Sequence, residues 1–149
     1  MAQFSYREPL TDDEWSQYFQ IRYRMLREPH DQPPGSERDA LEDRSIHIAA
    51  VSDRAELIGV GRVCPDATKG ARLNYLAVLD EWQGHGIGSR ILEILEQKAR
   101  ESGVELLWLN SRDSAASFYT KRGYVDVGPG RTLFDIIPHR LMSKSLVER

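Results

Sequence analysis

Six residues, Gln83-Gly84-His85-Gly86-Ile87-Gly88, restrict the folds open to this chain more than any other stretch. They lie between an apolar run that ends at Val78 and an amphipathic pattern that begins after Gly88, so they carry a strand into a helix. Such a turn exposes the first backbone N–H groups of the helix, which together with the helix dipole can hold phosphate oxygens. Gly84, Gly86 and Gly88 allow close approach and positive φ, and Ser89 or Arg90 could add a hydroxyl or a charge. Taken alone, the same residues also describe a plain tight turn. No Gly-Lys-Ser or Gly-Lys-Thr follows, which excludes a P-loop. Glycines at spacing two and two, after antiparallel strands, match the dinucleotide fingerprint poorly.

The surrounding pattern predicts one α+β domain spanning residues 1–149, with no internal repeat or linker. Thr11 and Glu14 form a capping box, and Trp15, Tyr18, Phe19, Arg22, Met25 and Leu26 recur at helical spacing, which predicts a helix over 11–27. Pro29, Pro33, Pro34 and Gly35 end it. Ser36 to Arg44 reads either as a short helix or as an ordered loop. Period-two runs then predict a hairpin from Ile46–Val51 and Leu57–Val63, and a third antiparallel strand over Ala71–Val78. Ile91, Leu92, Leu95 and Ala99 line one face of the helix after Gly88, which Gly103 ends. Val104 to Leu109 is uniformly apolar and reads as a central strand buried on both faces. A short helix over about 113–122 and strands near 124–127 and 136–144 complete the chain.

With 149 residues, 40% of them hydrophobic, the chain can bury roughly 70% of its unfolded surface in one core. Its single cysteine, Cys64, rules out an intrachain disulfide and reads as a small apolar filler. Neither a signal-like stretch nor an 18-residue apolar run is present, so the default expectation is a soluble, cytoplasmic protein with no membrane partner. The net charge of −3 is spread over interspersed acids and bases, which leaves no footprint for nucleic acid. Small-molecule chemistry is the expectation, and no metal-ligand set is singled out.

Leu76-Ala77-Val78, four further residues, and then Gln83-Gly84-His85-Gly86-Ile87-Gly88 resemble the coenzyme A signature of the GCN5-related N-acetyltransferase (GNAT) superfamily. Asn110 at a strand end, followed by Ala115, Phe118-Tyr119 and Gly123-Tyr124, resembles that superfamily's later motif. The match is good over about residues 46–127. The ends more loosely resemble the small bacterial ElaA-like branch, through Arg22 to Arg27, Asp39 to His47, and Ile137-Pro138-His139-Arg140-Leu141-Met142. The resemblance implies a mixed, mostly antiparallel sheet of six or seven strands flanked by about four helices. It also implies a splayed pair of strands, here Ala71–Val78 and Val104–Asn110. Homodimers are common among such proteins and are compatible with this chain.

The resemblance further implies acetyl-coenzyme A as cosubstrate, and attack on it by the primary amine of a small-molecule or peptide acceptor. The backbone of Leu76, Ala77 and Val78 would hold the pantetheine arm. Gln83, Gly84, His85, Gly86, Ile87, Gly88 and Ser89 would meet the pyrophosphate, and Lys121 and Arg122 the 3′-phosphate, although a basic helix end explains the last two equally well. Tyr119 would be the general acid, with Asn110 supporting it. The glutamate that serves as base in the histone-modifying branch is absent, its place falling near Arg72. His139, His47 and Glu42 are the candidate bases, His139 first among them. For the acceptor, Glu42 among the nearby acids could attract a cationic amine, whereas Arg22, Arg24 and Arg62 could bind a carboxylate. His47 belongs to the same candidate set, and ordinary salt bridging competes with all of these readings. The alternative to an enzyme is a noncatalytic acyl-coenzyme A binding or sensing module. A nucleotide-binding protein is a more distant reading.

Overall fold

A computed structural model describes residues 3–66, 68–130 and 138–147. Its centre is a seven-stranded sheet in the order β1-β2-β3-β4-β5-β7-β6. The strands are β1 (Ser5–Arg7), β2 (Ile46–Val51), β3 (Leu57–Pro65), β4 (Gly70–Val78), β5 (Leu106–Arg112), β6 (Val125–Pro129) and β7 (His139–Ser145). Neighbouring strands are antiparallel except β4 and β5, which are parallel. Three α-helices are found among the described residues, α1 (Asp12–Leu26), α2 (Ile87–Glu101) and α3 (Ala116–Thr120), together with four single 3-10 turns. Residues 36–44, which read as helix or loop, form a loop that ends in the 3-10 turn Glu42–Arg44. Of the last predicted strand, Ile136 and Ile137 lie outside the described residues.

At the start of α1, the Thr11 hydroxyl accepts a hydrogen bond from the Glu14 N–H at 3.1 Å. The Glu14 carboxylate reaches one residue further back than a capping box requires, accepting from the Leu10 N–H at 2.8 Å and from Arg7 of β1 at 2.7 and 2.8 Å. The cap therefore also ties down the edge strand β1, which has too few residues to show an alternation of its own.

The two faces of the sheet are covered unequally. Ile87, Ile91, Leu92, Leu95 and Ala99 of α2 pack on Ile48, Ile58, Val63, Leu73, Leu107, Leu109 and Met142. A Cβ on Gly61 would come within 2.7 Å of Ile91 and 2.9 Å of Leu95, so that glycine lets α2 settle onto β3. On the opposite face, Tyr18, Phe19 and Ile21 of α1 cover Ala49, Val51, Leu57, Val60 and Ala77. Helix α1 does not extend over β5, so Leu106 is 43% exposed and burial alternates along that strand. The uniformly apolar run is thus buried on one face rather than two.

Candidate active site

The parallel pair β4 and β5 is joined only where Gly70, Ala71 and Arg72 meet Leu106, Leu107 and Trp108. Beyond that point the strands part. The cause lies in β4, where Tyr75 takes φ +58° and two residues, Tyr75 and Leu76, stand opposite the single Gly61 of β3. A bulge of this kind increases local twist and bends its strand out of line. Facing edges of Leu73–Val78 and Leu109–Arg112 are consequently left without each other as ladder partners, and a cleft of about 1060 Å³ opens between them.

One end of the cleft is the glycine turn. Gly84 and Gly86 have φ of +85° and +76°, and Gly86 caps α2. The first intrahelical bond runs from the Arg90 N–H to the Gly86 carbonyl at 3.1 Å, and no side chain caps the helix. The N–H groups of Ile87, Gly88 and Ser89 therefore have no intrahelical acceptor, and these residues line the cleft. A Cβ on Gly84 or Gly86 would meet open space, so these two glycines serve the positive φ rather than crowding. The Gln83 amide donates to the Val78 carbonyl at 3.0 Å and closes the turn behind β4. Arg122 donates from Nε to the Ser89 hydroxyl at 3.0 Å and from Nη1 to the Phe118 carbonyl at 2.7 Å, which sets a positive charge beside the helix end. His85 and Lys121 are exposed and do not line the cleft.

Midway along, Leu76, Ala77 and Val78 face Asn110, Ser111, Phe118 and Tyr119 across the opening. Burial pushes the Tyr119 hydroxyl up to about 12 despite the nearby Arg122, so it stays protonated. Its ring packs edge-on against Phe118 and Tyr124. A Cβ on Gly130 would collide with Asn110 Oδ1, a close approach that nothing in the Asn110 motif announces. His139 opens β7 opposite Arg112, is buried, and lines the same cleft.

Arg22, Glu42, His47 and Arg62, singled out as contacts for an acceptor, are brought together, but beneath the cleft rather than in it. Arg22 and Arg62 are 0% and 1% exposed. Arg62 donates twice to Asp39 at 2.8 and 2.9 Å and once to Asn74, and Arg22 donates to Glu42 at 2.9 Å. Both guanidinium groups lie on the ring of Tyr75, at 4.1 Å for Arg22 and 4.8 Å for Arg62. Hydrogen bonding to Arg62 holds the Asp39 carboxyl below its ordinary range. Burial opposes ionisation of Glu42, but the Arg22 hydrogen bond and nearby positive charge outweigh it and lower its pKa. For His47, burial dominates and keeps the ring neutral, with Nε2–H donating to the Glu42 carbonyl at 2.7 Å. Its Nδ1 faces the Tyr18 hydroxyl at 3.0 Å and Arg22 at 3.4 Å, which leaves it no route to a proton in the cleft. Arg24 is exposed on α1, 4.0 Å from Glu81, and lines the cleft no more than these do. Arg122 lines it as expected, and so do Arg27, Arg72 and Arg112, none of which was a candidate for the site.

The family model described as acetyltransferase (GNAT) family matches residues 8–124. The uncharacterized N-acetyltransferase YitI of Bacillus subtilis (strain 168) is 26% identical over 134 residues, covering 86% of this chain and 89% of its own. Among solved structures, an aminoglycoside 6'-N-acetyltransferase complexed with coenzyme A superposes with a TM-score of 0.82 at 19% identity, over 99% of this chain and 98% of the other. Escherichia coli ElaA superposes with a TM-score of 0.80 at 14% identity, over 97% of this chain and 99% of the other.

Proposed function

The chain belongs to the acetyltransferase (GNAT) family, and from that premise we propose that it moves an acetyl group from acetyl-coenzyme A to a primary amine by direct attack in a ternary complex. The observation that carries this reading is the parting of β4 from β5 directly above the uncapped start of α2. A single cleft thereby offers unpaired strand edges, suited to an amide-bearing arm, and free N–H groups at a positive helix end, suited to a pyrophosphate. An unsatisfied buried backbone group costs about 1 to 3 kcal/mol, so a ligand that pairs with it is favoured.

Acetyl-coenzyme A would supply the activated acyl group as a thioester. The amine nitrogen would bond to the acetyl carbon, the carbon–sulfur bond would break, and the nitrogen would lose a proton as the sulfur gains one. Backbone groups of Leu76, Ala77 and Val78 would orient the arm, while Ile87, Gly88, Ser89 and Arg122 would hold the phosphates. Tyr119 is part of the cleft lining. With its pKa near 12 against about 8.5 for a thiol, outright proton release to the sulfur would be uphill by about 5 kcal/mol. Tyr119 therefore acts as a hydrogen-bond donor that stabilises negative charge developing on sulfur. His139 is the candidate base because it shares the cleft, which His47 does not. Incubation with acetyl-coenzyme A and a broad amine panel should release free thiol in step with acetylated product. Tight cosubstrate binding without thiol release above background would instead favour a noncatalytic binding or sensing module.

A further inference from the structure

The bulge that parts β4 from β5 is held from beneath the cleft. Tyr75 keeps a positive φ that disfavours a bulky side chain, and the extra residue moves Ala77 and Val78 one position along β3. A strand turns alternate residues to opposite sides. Without the bulge, Leu76, Ala77 and Val78 would therefore exchange the backbone groups directed at β3 for those directed at the cleft. Arg62 adjoins Gly61, the residue opposite the bulge, and pairs directly across from Asn74. Its Nε donates to Asn74 Oδ1 at 2.8 Å, and its guanidinium carbon lies 4.8 Å from the centre of the Tyr75 ring. One side chain thus holds the last regularly paired residue and the first displaced one. The terminal nitrogens of the same fork are fixed by Asp39 at 2.8 and 2.9 Å, with Glu42 3.1 Å from Nη1. Arg22 covers the same ring at 4.1 Å but donates to no atom of β4 among the described residues. Asn74 and Tyr75 line the cleft, whereas Arg62 does not.

We propose that Arg62 is a positioning residue for acetyl-coenzyme A: through Asn74 and Tyr75 it keeps the bulge in register, and with it the edge of Leu76, Ala77 and Val78 that takes the pantetheine arm. This rests on the acetyl-transfer reading and deepens it. Arg62 serves the ligand without touching it. Its planar fork is what allows Asn74 and Asp39 to be held at once, and a lysine would keep the charge without that span. Among the described residues Arg62 makes no hydrogen bond to the glycine turn or to α2, so the phosphate end of the site is built independently of it.

Two ligands separate this role from general stability. Kd is measured by calorimetry for acetyl-coenzyme A, and by NMR titration for 3′-phosphoadenosine 5′-diphosphate, which carries the pyrophosphate but no pantetheine arm. Arg62→Lys should weaken acetyl-coenzyme A by about tenfold or more and leave the nucleotide within about threefold. Asn74→Leu, which spares the bonds from Arg62 to Asp39, should do the same. Asn74→Asp restores an acceptor for Nε and should bind acetyl-coenzyme A within about threefold of wild type. Arg62→Lys and Asn74→Leu together should lose no more than the larger single loss, because both break one contact. Unchanged acetyl-coenzyme A affinity in Arg62→Lys would overturn the proposal, as would equal losses for both ligands or losses that multiply in the double variant. Should Arg62→Lys fail to fold, the Asn74 variants decide, and a loss in Asn74→Leu that Asn74→Asp does not restore would overturn it. Absence of acetyl-coenzyme A binding by the wild type would remove the acetyl-transfer reading and the proposal with it, whereas the other outcomes strike the proposal alone.

Discussion

Tyr75 shows how much a single residue can determine. A bulky side chain at φ +58° is costly, of the order of 1–2 kcal/mol, and needs an environment that enforces it. Here that environment is a pair of buried guanidinium groups on the ring. Tyr119 depends on its surroundings in another way, since burial makes it a poor proton source and a persistent donor. Tyr119→Phe should therefore lower turnover by about ten- to a hundredfold, with the acetyl-coenzyme A Kd nearly unchanged. Equal losses in both, seen by steady-state kinetics and calorimetry, would make it a packing residue. The glycines of the turn separate by the same reasoning. Gly86→Ala has room for its Cβ but not the φ, and should cost about 1–2 kcal/mol and weaken cosubstrate binding. Gly88→Ala would bring only ordinary contacts, 3.6 Å to Val78 and 3.9 Å to Phe118, so its thermal melt should stay close to wild type.

At the scale of elements, the segment between α1 and β2 is fastened by charge. Arg22 joins α1 to Glu42, and Arg62 joins β3 to Asp39, with little water near either arginine. Removing one partner of a buried pair leaves the other uncompensated, so Arg22→Leu should destabilise by about 3–5 kcal/mol in denaturant titration. The same cluster sets a pH response. His47 has a folded pKa below 6.5, so the unfolded chain takes up its proton first, and stability should fall as pH drops below about 6.5. Asp39 and Glu42, with lowered pKa values, add their loss only further into acid, as pH falls below about 4.5. His47→Gln should flatten the upper part of that fall in melting temperature, and an unchanged slope would acquit His47. Charge burial is also where the sequence was least legible. The apolar periods of α1, α2 and the hairpin announce themselves because hydrophobic spacing is local. By contrast, the pairing of Arg22 and Arg62 with acids that lie 20 and 23 residues away depends on the whole sheet being in place. An arginine destined for a buried pair and one destined for a cleft look alike in sequence, so Arg22 and Arg62 were candidates for the site while Arg27 and Arg112 were not. The glycine turn, Asn110 and Tyr119 stood out because a motif fixes their relative spacing, and apart from His85 all of them line one cleft.

Over the whole molecule, β1 to β4 and β5 to β6 form two groups of strands linked by only three paired positions, with α2 packed across both. Among the described residues no helix is long and apolar enough to cross a membrane. The parted strands leave the sheet incomplete, and amides directed into the gap from Leu73–Val78 and Leu109–Arg112 have no ladder partner across it among the described residues. Their hydrogen exchange should be fast in the free protein and slow sharply once acetyl-coenzyme A is added, while the joined residues Gly70–Arg72 change little. Ligand at a hundredfold excess over its Kd adds about 2.7 kcal/mol to the folded state. A protein built with these rungs missing would owe part of its thermal endurance to the supply of the small molecule that completes its sheet, so its lifetime would follow the abundance of that molecule.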